Sequence, residues 1–461
     1  MNLKNMEKLK SLKRNTKAAS QSLTPSPSPL RQAQGKPERG VLNATIFMIS
    51  SILFLSLSVI VNAQVLPLDS ILNTIEKNNS ELKVYDAKAN AYDTYATGAK
   101  ALDAPQVGAG FFMTPYNTQM WNADPSMYSR GMGSFMLSAQ QMFMSPQKLN
   151  ASEKYMKSMS GVENEMKNAT RNQLFSMAKM NYYEWILLKR KLHILKESEE
   201  VLNYLIKSTE LRYTYGMDKL NAYYKAKGML GDIQNVMVMT EQEINEQRVS
   251  LNGLMNRNKN MLFDVDTSMT FKNYETTLID SSAIVDARSD FKVLKQNENV
   301  LRSKQTYEQT KSLPNFGIKY DHMLAFGTQP QLFSLMAMVS IPIAPWSSKM
   351  YKSTVAGLNY EIEALQAQQQ GFVNNVSGTL ENLKIKIKSK KLQIEISDKT
   401  IIPAMRRNYE TALLAYEQNT EQLFMVLDAW QNLKLTELSQ IDQLIELTTL
   451  QVQYENQLEI K

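Results

Sequence analysis

The sequence predicts a mainly helical fold that also contributes strands to a membrane β-barrel, and three observations lead to this prediction. Long proline-free stretches are rich in Leu, Ala, Lys, Glu and Gln, which favour helices. Four short stretches instead alternate apolar and polar side chains, as half-buried strands do. Matching segments also recur in the two halves of the chain, which indicates a tandem duplication.

Residues 1–63 are expected to form a leader and signal peptide. The run ATIFMISSILFLSLSVIVNA (44–63) is uncharged and apolar, and its last three residues fit a signal-peptidase site. An uncleaved anchor is the alternative, because about 18 apolar residues are just enough to span a bilayer. Residues 1–40 are too long and too rich in Lys, Ser and Pro for an ordinary basic flank, and we derive no function from them.

The net charge of +7 comes entirely from that leader. Residues 1–40 hold nine Lys or Arg against two acids, residues 41–63 hold none, and the remaining chain is formally neutral. A surface for nucleic-acid phosphates is therefore not expected. Cysteine is absent, which excludes disulfides and thiolate metal sites, so packing or oligomerisation must stabilise an exported chain of this size.

Prolines mark where long helices are permitted. None occurs between Pro146 and Pro314, and none follows Pro403. Because proline breaks helix interiors, the second half is expected to contain helices over 346–402 and 403–458. At about 1.5 Å per residue each would extend roughly 80 Å. Helices of that length exceed any globular core and are expected to pack along one another as coiled coils.

The duplication divides the chain into a first structural repeat, 64–287, and a second, 288–461. Residues 80–108 align with 289–317 without a gap, and this match includes a proline and a glycine at equivalent positions. The helices of the first repeat are expected to reach about residue 257. Each repeat thus has the same predicted layout: a helix, two strands, and long helices.

A second match identifies the predicted helix turns. Residues 211–227 align with 414–430, which pairs Gly216 with Asn419. Glycine and asparagine are the residues that most readily adopt left-handed backbone geometry. We therefore expect both positions to lie at turns between long helices.

Four strands are predicted, two in each repeat. Pro105 and Pro314 begin the first strand of each repeat, and segments rich in Pro, Gly, Asn and Asp separate the strands, as in hairpins. A length of about ten residues suits a tilted strand that crosses a bilayer. The predicted strands lie near 105–113, 133–143, 314–322 and 331–341.

Alternation gives the strands of the second repeat an apolar face, which is predicted to contact membrane lipid. The lipid-facing residues of this prediction are Phe316, Ile318, Tyr320, Phe333, Leu335 and Val339. Four strands cannot close into a barrel, and in lipid each unpaired backbone group at an open edge costs several kcal/mol. Several copies must share the barrel, and three copies would give twelve strands.

Taken together, these features resemble the TolC family of outer-membrane efflux channels. They include the duplicated layout, the prolines before the strands, and Ile402-Pro403 followed by TALLAYEQNTEQLFMVLDA (411–429). The resemblance covers residues 66–460. It implies a homotrimer in the outer membrane of a Gram-negative bacterium, with helices in the periplasm. It further implies a passive exit duct that works with a periplasmic adaptor and an inner-membrane transporter, for copper, silver or drugs.

The resemblance also implies where such a duct narrows. In that family aspartates line the periplasmic aperture, and Asp428 occupies one such position, whereas Met425 occupies another that is acidic in some members. Three copies of Asp428 would form a constriction that attracts cations. The alternative is a carboxylate on a solvated helix face.

Catalytic chemistry is not indicated by the sequence. It contains no nucleotide-binding, metalloprotease or hydrolase motif, and its two histidines are too few for a catalytic zinc site. We expect neither enzyme activity nor a cofactor. Methionine is frequent, with 28 residues. Thioethers suit Cu(I), but methionine also fills gaps in cores and lipid-facing walls, and the mixed spacing favours that second interpretation.

A function of another class is compatible with the same pattern. The chain could be a soluble periplasmic coiled-coil scaffold or adaptor without a pore, in which the alternating segments would be ordinary hairpins. The two interpretations differ in whether the apolar strand face contacts lipid or is covered by protein.

Overall fold

The computed structural model describes most of the chain beyond the predicted leader, and residues 1–63 lie outside the described residues. The described residues, which begin at 64, belong to one compact unit. The described residues are 64–114, 133–269, 274, 285–326 and 330–460.

Eight long helices dominate the described residues. The longest has 69 residues, which corresponds to roughly 100 Å at about 1.5 Å per residue. In the described part of the chain no helix combines the length and apolarity needed to cross a membrane. The helices are α1 (Leu68–Asn78), α2 (Ser80–Gly98), α3 (Pro146–Thr214), α4 (Leu220–Leu254), α5 (Ser289–Thr310), α6 (Pro345–Ile396), α7 (Ile402–Glu417) and α8 (Leu423–Gln457).

The strands form one antiparallel sheet and one short parallel pair. The strands are β1 (Val65–Leu66), β2 (Gln106–Phe112), β3 (Ser134–Phe143), β4 (Asp264–Val265), β5 (Asn315–Ala325) and β6 (Leu332–Ser340). β1 pairs with β4, and the four-stranded sheet has the order β2-β3-β5-β6. Within the described residues, β2 and β6 each pair with one strand only, so the sheet has two open edges.

The helices next to the sheet follow the same order as its strands. α2 packs against α3, α3 against α5, and α5 against α6. Each of these helices is connected directly to a strand, either before it or after it. The helical layer therefore continues the sheet in the same order, and α6 also packs against α8.

Elements of the two halves recur at the spacing of the sequence matches. α4 and α8 each contain 35 residues. Just beyond their C-terminal ends lie Asn256 and Glu459, which both have positive φ. The observed mainly helical fold with a few strands agrees with the predicted fold class, whereas closure of a barrel requires other copies and stays a prediction.

The predicted helices over 346–402 and 403–458 are wrong in their boundaries. α6 continues through a π-helical turn, Ser397–Ile401, directly into α7, and Pro403 lies in the first turn of α7. Proline removes one backbone donor and its ring crowds the carbonyl four residues earlier, and the wider π turn accommodates both effects. The true break lies at 418–422, between α7 and α8.

A buried ion pair fastens the C-terminal end of the chain to α3. Lys179 pairs with Glu455, and their side chains are only 5% and 6% exposed. The Lys179 ammonium also donates to the carbonyl of Ile460 at 2.9 Å, and the Tyr274 hydroxyl donates to Glu455. These contacts connect α3 of the first half with α8 of the second.

Replacing Lys179 tests the contribution of this buried ion pair to stability. We expect Lys179→Met to destabilise the fold by about 3–5 kcal/mol, because it leaves the Glu455 carboxylate buried without its cation. Lys189→Met is the control, since its 2.8 Å pair with Asp264 is about one-third exposed and is worth about 1 kcal/mol or less. Urea midpoints by circular dichroism distinguish the two, and equal losses would contradict a structural role for the buried pair.

Candidate functional site

Two helix turns lie at one end of the bundle. Residues 215–219 join α3 to α4, and residues 418–422 join α7 to α8. Gly216 has φ 71° and Asn419 has φ 60°, so both adopt the left-handed geometry that glycine and asparagine tolerate best. The two predicted helix-turn positions thus lie within the turns themselves.

The two helical hairpins share an apolar core next to these turns, here called the tip core. Its residues come from all four helices, and all are buried. They are Leu202, Leu205, Ala222, Ala226, Tyr416, Leu423, Val426, Leu427 and Trp430. Because this cluster draws on both halves of the chain, it holds the two hairpins together.

A polar cluster, here called the tip latch, joins the two turns beside this core. The Tyr416 hydroxyl donates to Asp218 Oδ2 at 2.6 Å. Arg212 Nε lies 3.2 Å from the same oxygen, and its guanidinium stacks on the Tyr416 ring at 4.3 Å. Arg212 also donates to the side-chain oxygen of Asn419. The latch therefore crosslinks the first-half turn to the second-half turn.

The protonation of Tyr416 supports this arrangement. Burial, and then the hydrogen bond to Asp218, raise the pKa of the Tyr416 phenol above its usual value. A phenol is protonated at neutral pH even at its usual pKa, and the upward shift keeps Tyr416 a donor to the Asp218 carboxylate at more alkaline pH as well. Sequence reasoning missed Arg212 and Asp218, since nothing in their local pattern distinguishes them from other surface charges.

The predicted aperture residues lie on α8 just beyond the turn. Asp428 is exposed, and its carboxylate accepts a hydrogen bond from Asn432 at 3.2 Å. Met425 is 51% exposed and, like Phe424, projects away from the tip core. A single chain does not bring copies of Asp428 together, so the predicted ring stays a prediction.

The six predicted lipid-facing residues lie on one face of the sheet, here called the apolar sheet face. Phe316 pairs with Val339 and Tyr320 with Leu335, and directly paired residues project to the same side. All six are exposed, Leu335 by 67%. The face continues onto the other two strands through Val107, Phe111, Phe135, Leu137 and Phe143.

The opposite side of the same strands carries polar and charged side chains and is here called the polar sheet face. Its cross-strand rows include Gln140 beside Lys319 and Ser138 beside Asp321. The Lys319 ammonium lies 3.1 Å from Asp321. Pro105 and Pro314 directly precede β2 and β5, where a missing N–H leaves no ladder bond unmade.

Metal-ligand clusters of the usual kind are not found in the described segments. No three His, Asp or Glu side chains there converge to hold an ion. The site therefore consists of a two-faced open sheet at one end and a latched pair of helical turns at the other.

Solved structures share this architecture. The outer-membrane channel OprN matches with a TM-score of 0.67 and 14% identity, over 86% of this chain and 90% of that one. The outer membrane protein VceC from Vibrio cholerae matches with a TM-score of 0.67 and 13% identity, over 85% and 95%. The CmeC outer membrane channel of Campylobacter jejuni matches at 0.65 and 15%, over 85% of each chain.

The fold is therefore that of the TolC-type outer-membrane channels, which confirms the predicted resemblance at the level of architecture. No protein-family model and no curated protein sequence matches this chain.

Removing the Tyr416 hydroxyl tests whether the tip latch stabilises the turns. We expect Tyr416→Phe to accelerate amide exchange at the α7–α8 turn by about tenfold or more, because a hydrogen bond to a charged group contributes about 1.5–3 kcal/mol. Tyr213→Phe is the matched control, since Tyr213 is the equivalent residue of the first repeat and is exposed. Hydrogen exchange read by mass spectrometry gives the comparison. Unchanged exchange in Tyr416→Phe would contradict the latch.

Proposed function

We propose that three copies of this chain form an exit duct in the outer membrane of a Gram-negative bacterium. The observation that carries this proposal is a four-stranded sheet with two open edges and one continuous, exposed apolar face. Three copies would supply twelve strands and pair every edge. The apolar sheet face would then contact lipid, and the polar sheet face would line a wet lumen.

The alternative, a soluble periplasmic scaffold or adaptor, accounts less well for the sheet. An exposed apolar face that includes Phe316, Phe333 and Leu335 is unfavourable in water and marks an interaction surface. Solved channels with the same architecture also support a duct over a scaffold, and over an enzyme. The duct is passive, since the sequence holds no nucleotide-binding motif that could supply energy.

Partners follow from the same proposal. The duct receives substrates from a periplasmic adaptor and an inner-membrane transporter, with the helical turns directed into the periplasm and the signal peptide directing export. The aperture lies at those turns, where three copies of Asp428 and Met425 converge on the duct axis. The exposure of both side chains beyond the tip core supports this assignment.

For the substrate, we propose soft monovalent metal ions, copper(I) or silver(I), in preference to drugs. Methionines recur on the polar sheet face, at Met136, Met142, Met323, Met336 and Met338. Met136 pairs directly with Met323. Thioether sulfur is one of the soft protein ligands that select Cu(I).

One glycine supports this choice of substrate. Gly317 lies between Met142 on β3 and Met338 on β6, with both methionines paired to it. A Cβ built at Gly317 would collide with the Met142 sulfur. The glycine thus leaves room for the Met142 thioether to extend over β5 towards Met338, which places two soft ligands on one face.

Charge placed on each sheet face tests the duct. We expect Leu335→Arg to cost about 2–4 kcal/mol near the bilayer midplane and to reduce recovery of trimer in the outer membrane. Ser334→Arg is the control, because it lies at the same depth on the polar sheet face beside Asp321. Membrane fractionation and detergent gels give the measurement. Equal recovery of both variants, or a soluble monomeric wild type, would argue for the scaffold.

A deletion strain tests the substrate. We expect the strain to become sensitive to silver and copper, with little change towards drugs and bile salts. Complementation with Met142→Leu/Met338→Leu should restore resistance less well than Met166→Leu, an exposed methionine on α3. Growth inhibition curves measure this, and sensitivity to drugs alone would overturn the metal assignment while leaving the duct intact.

A further inference from the structure

We propose that Lys225 places a positive charge beside each Asp428, so that the aperture is a ring of mixed charge and does not select strongly for cations. This inference rests on the proposed duct and on its aperture at the helix turns. It departs from an aperture of carboxylates alone, which would favour cations.

The first observation is that Lys225 and Asp428 hold equivalent positions in the two repeats. Lys225 is the sixth residue of α4, and Asp428 is the sixth residue of α8. Each helix begins just after a turn with a left-handed residue. The residues that follow them, Ala226 and Ala429, are both buried. Lys225 and Asp428 therefore occupy the same level and the same helix face in the two hairpins.

The second observation is that Lys225 on α4 contacts Phe424 on α8 of the other hairpin. The Lys225 ammonium lies 3.5 Å from the centre of the Phe424 ring. Phe424 precedes Asp428 by about one helical turn, so the two side chains lie on the same face of α8, about 6 Å apart along its axis. The Asp428 carboxylate accepts a hydrogen bond from Asn432 on this same exposed face, so the Lys225 ammonium and the Asp428 carboxylate lie along one face of α8.

Two neighbouring charged groups are held in other directions. Lys227 lies over the ring of Tyr223 at 4.6 Å, and Asp218 is engaged in the tip latch. Of Lys225 and Lys227, it is Lys225 that contacts α8.

Three copies would bring three ammonium and three carboxylate groups to one level of the duct. If the two hairpins of each copy alternate around the axis, the charges alternate in sign. The fields of opposite charges at similar distances then largely cancel on the axis, and salt screens the remainder beyond about 8 Å at physiological ionic strength. A ring of carboxylates alone would instead concentrate cations at the constriction.

Ion selectivity of the reconstituted trimer in planar bilayers tests this inference. A potassium chloride gradient gives the potassium-to-chloride permeability ratio from the reversal potential. We expect a ratio near one for the wild type, a several-fold increase for Lys225→Gln, and a several-fold decrease for Asp428→Asn. The double variant Lys225→Gln/Asp428→Asn should return to the wild-type ratio, because it removes both signs of charge.

Lys227→Gln is the matched control, since it removes the same charge two residues away in the same helix. Its permeability ratio should equal that of the wild type. Equal shifts in Lys225→Gln and Lys227→Gln, or no shift in either single variant at Lys225 and Asp428, would overturn the mixed-charge ring while leaving the duct in place. A protein that conducts no ions in any variant would overturn the duct itself, and the ring with it.

Discussion

Unpaired backbone at the two edges of the sheet is the constraint on which the rest of this structure depends. β2 and β6 each present a row of N–H and C=O groups without a strand partner among the described residues. In hydrocarbon each such group costs several kcal/mol, so the sheet cannot enter lipid alone. Its exposed apolar face, however, is unfavourable in water. Both requirements are satisfied together when other copies of the chain supply the missing strands.

The helices derive their arrangement from the same sheet. Because α2, α3, α5 and α6 are each connected to a strand of the sheet, the strand order β2-β3-β5-β6 becomes the helix order α2-α3-α5-α6. Antiparallel strands that continue into helices on one side of the sheet thus produce a layer of antiparallel helices on that side. The buried pair of Lys179 and Glu455 joins α8, near the end of the chain, to α3 of this layer.

The two repeats share backbone geometry at equivalent positions but differ in the burial and charge of the side chains there. Tyr213 and Tyr416 hold equivalent positions three residues before a left-handed residue, yet Tyr213 is 47% exposed and Tyr416 only 2%. One phenol is a surface group, and the other is the centre of the latch with Asp218. Lys225 and Asp428 also hold equivalent positions in the two repeats, and their side chains carry opposite charges. Function in such a chain depends on where its two halves differ.

Local patterns in the sequence determined the alternation of the strands, the apolar sheet face, and the left-handed turns at Gly216 and Asn419. These features follow from side-chain periodicity and backbone sterics within a few residues. The helix boundary at Pro403 could not be read in this way, because a π turn accommodates the proline. Only the tertiary structure decided the tip latch, since Asp218 and Tyr416 are nearly two hundred residues apart in the chain and meet only when both hairpins pack. Contacts of that separation depend on the whole fold, and no local pattern encodes them.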